Sequence, residues 1–204
     1  MTEDSRPPSI LFVDVSGSTS LYERLGDVVA HTVVSEALGR WQRIIARDGG
    51  RVIKAMGDGL LAVLPSPEDA VRTAEALHRS LDEGPAPHGV RLTARAAIHS
   101  GPVLEQDGDV FGDAVNVAAH LVALAKPRQV LLSGETVSLL PAAADGDLRL
   151  LGRTRVKSRA MELELHEWVW EKDMVTFFVG RQAPAGTQPV LLLRLGQTSV
   201  RLDA

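Results

Sequence analysis

The sequence contains no cysteine, which excludes disulfide scaffolds, thiolate metal sites and cysteine nucleophiles. No apolar run approaches the ~18–20 residues needed to span a bilayer. The stretch Met1–Ser9 is polar, carries two prolines and has no apolar segment of the signal-peptide kind. A soluble, cytoplasmic protein without a membrane segment is expected. The formal net charge is −4, and no block of five like charges occurs. Binding to a nucleic acid polymer through a broad basic surface is therefore not expected. Gly-x-x-x-x-Gly-Lys-Ser/Thr, Gly-x-Gly-x-x-Gly and His-Glu-x-x-His are all missing, so the familiar phosphate-loop, dinucleotide and zinc-protease motifs do not apply.

What is present is an ordinary globular mixture of 204 residues, 45% hydrophobic and 24% charged. Ile10–Val13 reads as a buried strand that ends at Asp14. Ser16-Gly17-Ser18-Thr19-Ser20 follows as a cluster of turn and capping residues. Apolar residues from Leu21 to Ile45 recur at three- and four-residue spacing, which predicts one long amphipathic helix stopped by Gly49-Gly50. Val52–Met56 and Leu60–Leu64 flank Gly57-Asp58-Gly59 as a hairpin would. Ser66-Pro67-Glu68-Asp69 opens a second helix, and Val90–Ser100 alternates as a strand. The order strand, helix, strand, strand, helix, strand predicts an α/β (α+β) fold with a ferredoxin-like βαββαβ core. Its C-terminal extension comprises a hairpin at Pro102–Asp109, a helix over about Gly112–Ala125, a strand at Val130–Leu132 and a short helix at Glu135–Leu140. Strands at Leu148–Val156 and Met161–Val169 complete it.

The division predicted is a tail over residues 1–8, a main domain over 9–171, and a linker leading into a β-rich second domain over 172–204. Ala183–Pro189 has linker composition, and Val190–Leu195 and Thr198–Leu202 flank Gly196-Gln197 like a hairpin. That hairpin is expected either to begin a second, truncated domain or to dock on the main sheet.

Two acids stand at backbone turns, Asp14 after the first strand and Asp58 in the hairpin. If the first strand and the hairpin's leading strand are neighbours, the two carboxylates meet at one end of the sheet. Paired carboxylates suit Mg²⁺ or Mn²⁺, which share oxygen ligands with phosphates. The Ser16–Ser20 turn opens a helix whose free N–H groups attract a phosphate. Either acid alone is more often a turn or a cap. Asn116 and His120, four apart, share a helix face, which by itself usually means a solvated face.

Together these pieces resemble the class III nucleotidyl cyclase catalytic domain. The matching segments are Leu11-Phe12-Val13-Asp14-Val15-Ser16-Gly17-Ser18-Thr19 and Gly49-Gly50-Arg51-Val52-Ile53-Lys54-Ala55-Met56-Gly57-Asp58-Gly59. Ala97-Ile98-His99-Ser100-Gly101 and Gly108-Asp109-Val110-Phe111-Gly112-Asp113-Ala114-Val115-Asn116-Val117-Ala118-Ala119 follow in family order. The resemblance spans about residues 9–170. It implies a head-to-tail homodimer with two composite sites that convert ATP to 3′,5′-cyclic AMP and pyrophosphate. By the family pattern, Asp14, Asp58 and the Val15 carbonyl of one chain bind two Mg²⁺ or Mn²⁺ ions. The turn Ser16, Gly17, Ser18 and Thr19 holds the terminal phosphates. The other chain supplies Lys54 and Asp109 to read the adenine edge, where guanylyl cyclases usually carry Glu and Cys-type residues. Asn116 orients the ribose, and Lys157 stands where the family has a phosphate-binding lysine, although Ser158 replaces the usual glycine after it. A regulatory domain following the cyclase domain in the parent protein is also expected.

One departure bears on catalysis. Four residues after the asparagine the family normally has an arginine that stabilises the transition state, and here the residue is His120. Imidazole is smaller and has fewer donors, and loss of a phosphoryl-transfer arginine can cost about 10³–10⁵ in rate. The second departure is Ala97 where glycine is usual. The expected activity is that of an adenylyl cyclase. The alternatives are a weak or inactive ATP-binding dimer that transmits a signal, and a cyclase of mixed ATP/GTP preference.

Overall fold

A computed structural model describes residues 7–156, 162–171, 191–195 and 198–202. The chain divides into two compact units, Met1–Trp168 and Val169–Ala204. In the first, β1 (Ser9–Ser16) leads into α1 (Ser18–Leu25) and α2 (Asp27–Arg47). The hairpin β2 (Arg51–Met56) and β3 (Gly59–Leu64) follows, then α3 (Pro67–Asp82) and β4 (Thr93–Ser100). A small hairpin, β5 (Leu104–Gln106) and β6 (Asp109–Phe111), precedes α4 (Asp113–Leu124). The unit ends with β7 (Val130–Ser133), α5 (Gly134–Leu139), β8 (Leu148–Arg155) and β9 (Glu162–Trp168).

Seven of these strands form one sheet in the order β2-β3-β1-β4-β7-β9-β8. The first four reproduce the ferredoxin-like arrangement expected from the element order. One detail differs. β1 pairs with β3, the trailing strand of the hairpin, while β2 lies at the sheet edge. The hairpin turns back toward the centre, so its second arm is the inner one.

Alternation along β1 splits the core into two layers. Ile10 and Phe12 pack with Ala114 and Ala118 of α4 on one face. Leu11 and Val13 point to the other, which α2 and α3 cover, with Trp41 and Ile45 of α2 fully buried. Further along, Ala97 joins Val117, Leu121, Leu163 and Leu165 in a cluster between α4 and the sheet. The departure at position 97 thus has a methyl group packed in the core.

The long helix expected from Leu21 to Ile45 is two helices. Gly26, with φ 74° and ψ 162°, ends α1 and starts α2. Only glycine adopts that geometry without strain, and an isolated glycine within a helical period does not announce such a break. The cap of α3 follows the sequence: the Ser66 hydroxyl accepts from the Asp69 N–H at 3.1 Å, and Glu68 and Asp69 occupy the positive end of the helix.

In the second unit, β10 (Leu191–Leu195) and β11 (Thr198–Leu202) pair antiparallel, with Leu195 opposite Thr198. The linker-like stretch Ala183–Pro189 lies outside the described residues.

Candidate active site

Asp14 occupies the third-last position of β1, opposite Gly59 of β3 and Arg95 of β4. The Val15 N–H donates to the Asp58 carbonyl at 3.1 Å, which folds the β2–β3 turn over the end of β1. Gly57 supports that turn with φ 63°. Gly59 is required for a different reason: a Cβ there would stand 2.7 Å from the Val13 carbonyl oxygen and 3.2 Å from Asp14 Oδ1. The missing side chain lets the hairpin approach close enough to bring Asp58 to Asp14.

Burial raises the Asp14 pKa above the ordinary carboxylate value. The hydrogen bond from Arg95 opposes this, and the nearby Asp58 carboxylate adds to it through its charge and a shared hydrogen bond. Two carboxylates forced together in partial burial form a site that a divalent cation would relieve. Among the described residues no cluster of three or more His, Cys, Asp or Glu side chains could hold a metal. A cation here would draw its remaining ligands from backbone oxygen and from phosphate, as Mg²⁺ commonly does. The donor set fits the expected metals: Asp14, Asp58 and the Val15 carbonyl would be the protein's share.

Arg95 escaped the sequence reading. The signal was a lone arginine inside the otherwise small and apolar run Ala94–Ile98. Its Nε and Nη2 both donate to Asp14 Oδ2, at 2.9 and 2.6 Å.

The Ser16–Thr19 turn follows directly. Gly17 takes the left-handed conformation (φ 74°, ψ 24°) at the start of α1, and no side chain caps the first-turn N–H groups. Ser20 bonds back to the Gly17 carbonyl at 2.8 Å. The Ser16 hydroxyl is buried and has no hydrogen-bond partner among the described residues. Open N–H groups and an unpartnered hydroxyl suit a phosphate.

A second group lies at the sheet edge. Lys54 Nζ contacts both oxygens of Asp109, at 2.6 and 2.9 Å, joining β2 to β6. That hydrogen bond, with a further one from the Val110 N–H, holds the Asp109 pKa below its usual value. Both side chains remain open to solvent.

On α4, Asn116 is exposed one turn before half-buried His120. His120 Nε2 lies 3.2 Å from the Thr154 hydroxyl oxygen of β8. Lys157 and Ser158 lie outside the described residues. The structure thus brings together Asp14, Asp58 and the Ser16–Thr19 turn, and separately Lys54 with Asp109. Asn116 and His120 form a third group.

The sequence pattern of the adenylate and guanylate cyclase catalytic domain matches residues 2–180. The chain belongs to the class III nucleotidyl cyclase family. A putative adenylate cyclase of Rhizobium meliloti is 32% identical over 171 residues, covering 81% of this chain and 28% of the relative. An uncharacterized protein of Mycobacterium tuberculosis is 35% identical over 159 residues, covering 76% of this chain and 40% of the relative. The chain therefore spans well under half the length of these relatives. Among solved structures, an adenylate/guanylate cyclase/hydrolase of Silicibacter pomeroyi superposes with a TM-score of 0.66 at 29% identity, covering 80% of this chain and 96% of that one. Among the described residues no helix is long and apolar enough to cross a membrane.

Proposed function

We propose that this cyclase domain is an adenylyl cyclase, converting ATP to 3′,5′-cyclic AMP and pyrophosphate in composite sites of a homodimer. The observation that carries the substrate choice is the Lys54–Asp109 pair. The adenine edge presents an amino donor beside a ring-nitrogen acceptor, which complements a carboxylate beside an ammonium. Guanine puts a carbonyl where adenine has the amino group, and the carboxylate would then face an acceptor.

The ribose 3′-oxygen attacks the α-phosphorus in line. The new O3′–P bond forms as the bond to the β-phosphate oxygen breaks, and pyrophosphate leaves with those electrons while the hydroxyl proton passes to solvent. Nucleophile and electrophile belong to one molecule, so the protein's main task is to hold a near-attack geometry. Asp14, Asp58 and the Val15 carbonyl would hold the divalent metals. When bound, these supply Lewis acidity at the 3′-hydroxyl and neutralise triphosphate charge. The Ser16–Thr19 turn receives the terminal phosphates, Asn116 orients the ribose, and Lys157 meets the growing phosphoryl charge.

The composite arrangement is supported by exposed Met56 and Phe111, on the strands that carry Lys54 and Asp109, and by exposed Leu104, paired with Phe111 in the neighbouring strand β5. Large exposed apolar side chains of this kind suit a partner surface. ATP as substrate points to action in the cytoplasm, and residues 172–204 are read as the approach to a further, regulatory domain.

One observation favours a second reading. His120 stands where the family has its arginine, and its Nε2 is already engaged by Thr154. A dimer that binds metal–ATP without turnover would follow if no other group serves the transition state. The deciding experiment is cyclic nucleotide formation from ATP or GTP with Mn²⁺ across a range of protein concentration, with Asp58→Ala as the blank. Cyclic AMP rising faster than linearly with protein supports the proposal. ATP binding without product would select the signalling module, and comparable GTP turnover a mixed preference.

A further inference from the structure

The wall that α4 packs against is apolar. Val117 and Leu121 of the helix meet Val156, Leu163 and Leu165. Thr154 sits in this wall, directly opposite Leu163 in the strand register. A valine would fill that position equally well, so packing does not account for the hydroxyl. Its one hydrogen bond among the described residues goes to His120 Nε2, at 3.2 Å.

The link joins α4 to β8: α4 carries Asn116 one turn before His120, and β8 carries Thr154. Threonine suits the task because its branched Cβ restricts χ1 and so fixes where the hydroxyl points. The partner on one imidazole nitrogen also determines the role of the other. With Nε2 held by Thr154, Nδ1 is the ring nitrogen left without a partner among the described residues.

We propose that Thr154 is a positioning residue of the cyclase site. Its hydroxyl anchors His120 Nε2, orients the imidazole so that Nδ1 is the nitrogen offered to the nucleotide, and ties the Asn116-bearing helix to β8. The histidine here takes its working orientation from a second residue, on another element. The inference rests on the cyclase reading above.

The test compares wild type, Thr154→Val, Thr154→Ser, His120→Ala and the double variant Thr154→Val/His120→Ala. Two readouts are used: steady-state kinetics with Mn²⁺–ATP, and the ring-nitrogen NMR shifts of His120. Losing one well-placed hydrogen bond predicts that Thr154→Val lowers kcat about 5–10-fold while KM for ATP stays within about twofold. Thr154→Ser keeps most of the activity. In the His120→Ala background, Thr154→Val adds no further loss. The ring shifts of His120 move in Thr154→Val and stay near wild type in Thr154→Ser. Unchanged kcat and unchanged shifts in Thr154→Val overturn the proposal, and so does an additive loss in the double variant. A wild type with no turnover above Asp58→Ala overturns the cyclase reading and the role with it. In that event the ring shifts still report whether Thr154 holds His120.

Discussion

Arg95 spends two donors on a single oxygen of Asp14, Oδ2, across the β1–β4 ladder. The guanidinium serves as Asp14's counter-charge, opposing the desolvation that raises its pKa. A divalent cation entering at Asp14 must compete with it. Replacing the arginine by an uncharged residue of similar length removes a positive charge from the cation's surroundings. Arg95→Met is expected to tighten nucleotide-free Mn²⁺ binding on the order of tenfold, measured by Mn²⁺ electron paramagnetic resonance. Weaker or unchanged binding would show that the guanidinium does not compete.

The base-reading pair makes a prediction about specificity. Lys54→Glu with Asp109→Cys replaces the adenine-complementary set by the types usual in guanylyl cyclases. The ratio of kcat/KM for ATP over GTP is expected to fall by about 10–100-fold. A ratio that does not move would remove these residues from the base site.

Composite sites can be tested by complementation. Asp58→Ala and Asn116→Ala are each expected to be nearly inactive as homodimers. An equal mixture forms heterodimers with one intact site, restoring about a quarter of wild-type activity if chains pair at random. A mixture that stays inactive with heterodimers verified by mass measurement would place each site within one chain.

His78 supplies a stability prediction away from the site. It is 2% exposed on α3. Burial first, and the positive charge of Arg128 second, lower its pKa to about 3, against a weaker opposing effect of Asp82. The unfolded chain protonates this histidine near its ordinary value of about 6.5. Between those values the unfolded state binds the extra proton. Stability is therefore full above pH 6.5 and falls as the pH drops, by at most about 1.4 kcal/mol per unit from this group. Urea titrations at pH 7, 6 and 5 should show a shallower decline for His78→Phe. Equal declines would mean the imidazole is protonated in the folded protein.

Much of the fold was legible because its signals are local. The Gly57-Asp58-Gly59 turn and the Ser66 cap each act through their own few residues. The break at Gly26 was not legible, because the apolar period runs through it unchanged. The inner arm of the hairpin was misassigned, since alternation within a strand does not say which edge is paired. Asp14 and Asp58 were found together because both stand at turns, and Asn116 and His120 because helical spacing puts them on one face. Arg95 and Thr154 were missed because their partners lie 81 and 34 positions away in sequence. Such pairings are created by sheet register and helix docking, and no short pattern announces them.

The contact made possible at Gly59 also limits how this site can be redesigned. The carboxylates at 14 and 58 act through their side chains, so exchanging them for other oxygen or nitrogen ligands addresses the metal directly. Position 59 offers no such alphabet. Even the single methyl of alanine would meet the Val13 carbonyl at 2.7 Å and push the hairpin off β1. A library that randomises positions 57 and 59 would return a bias toward glycine at the first, where φ is 63°, and glycine alone at the second.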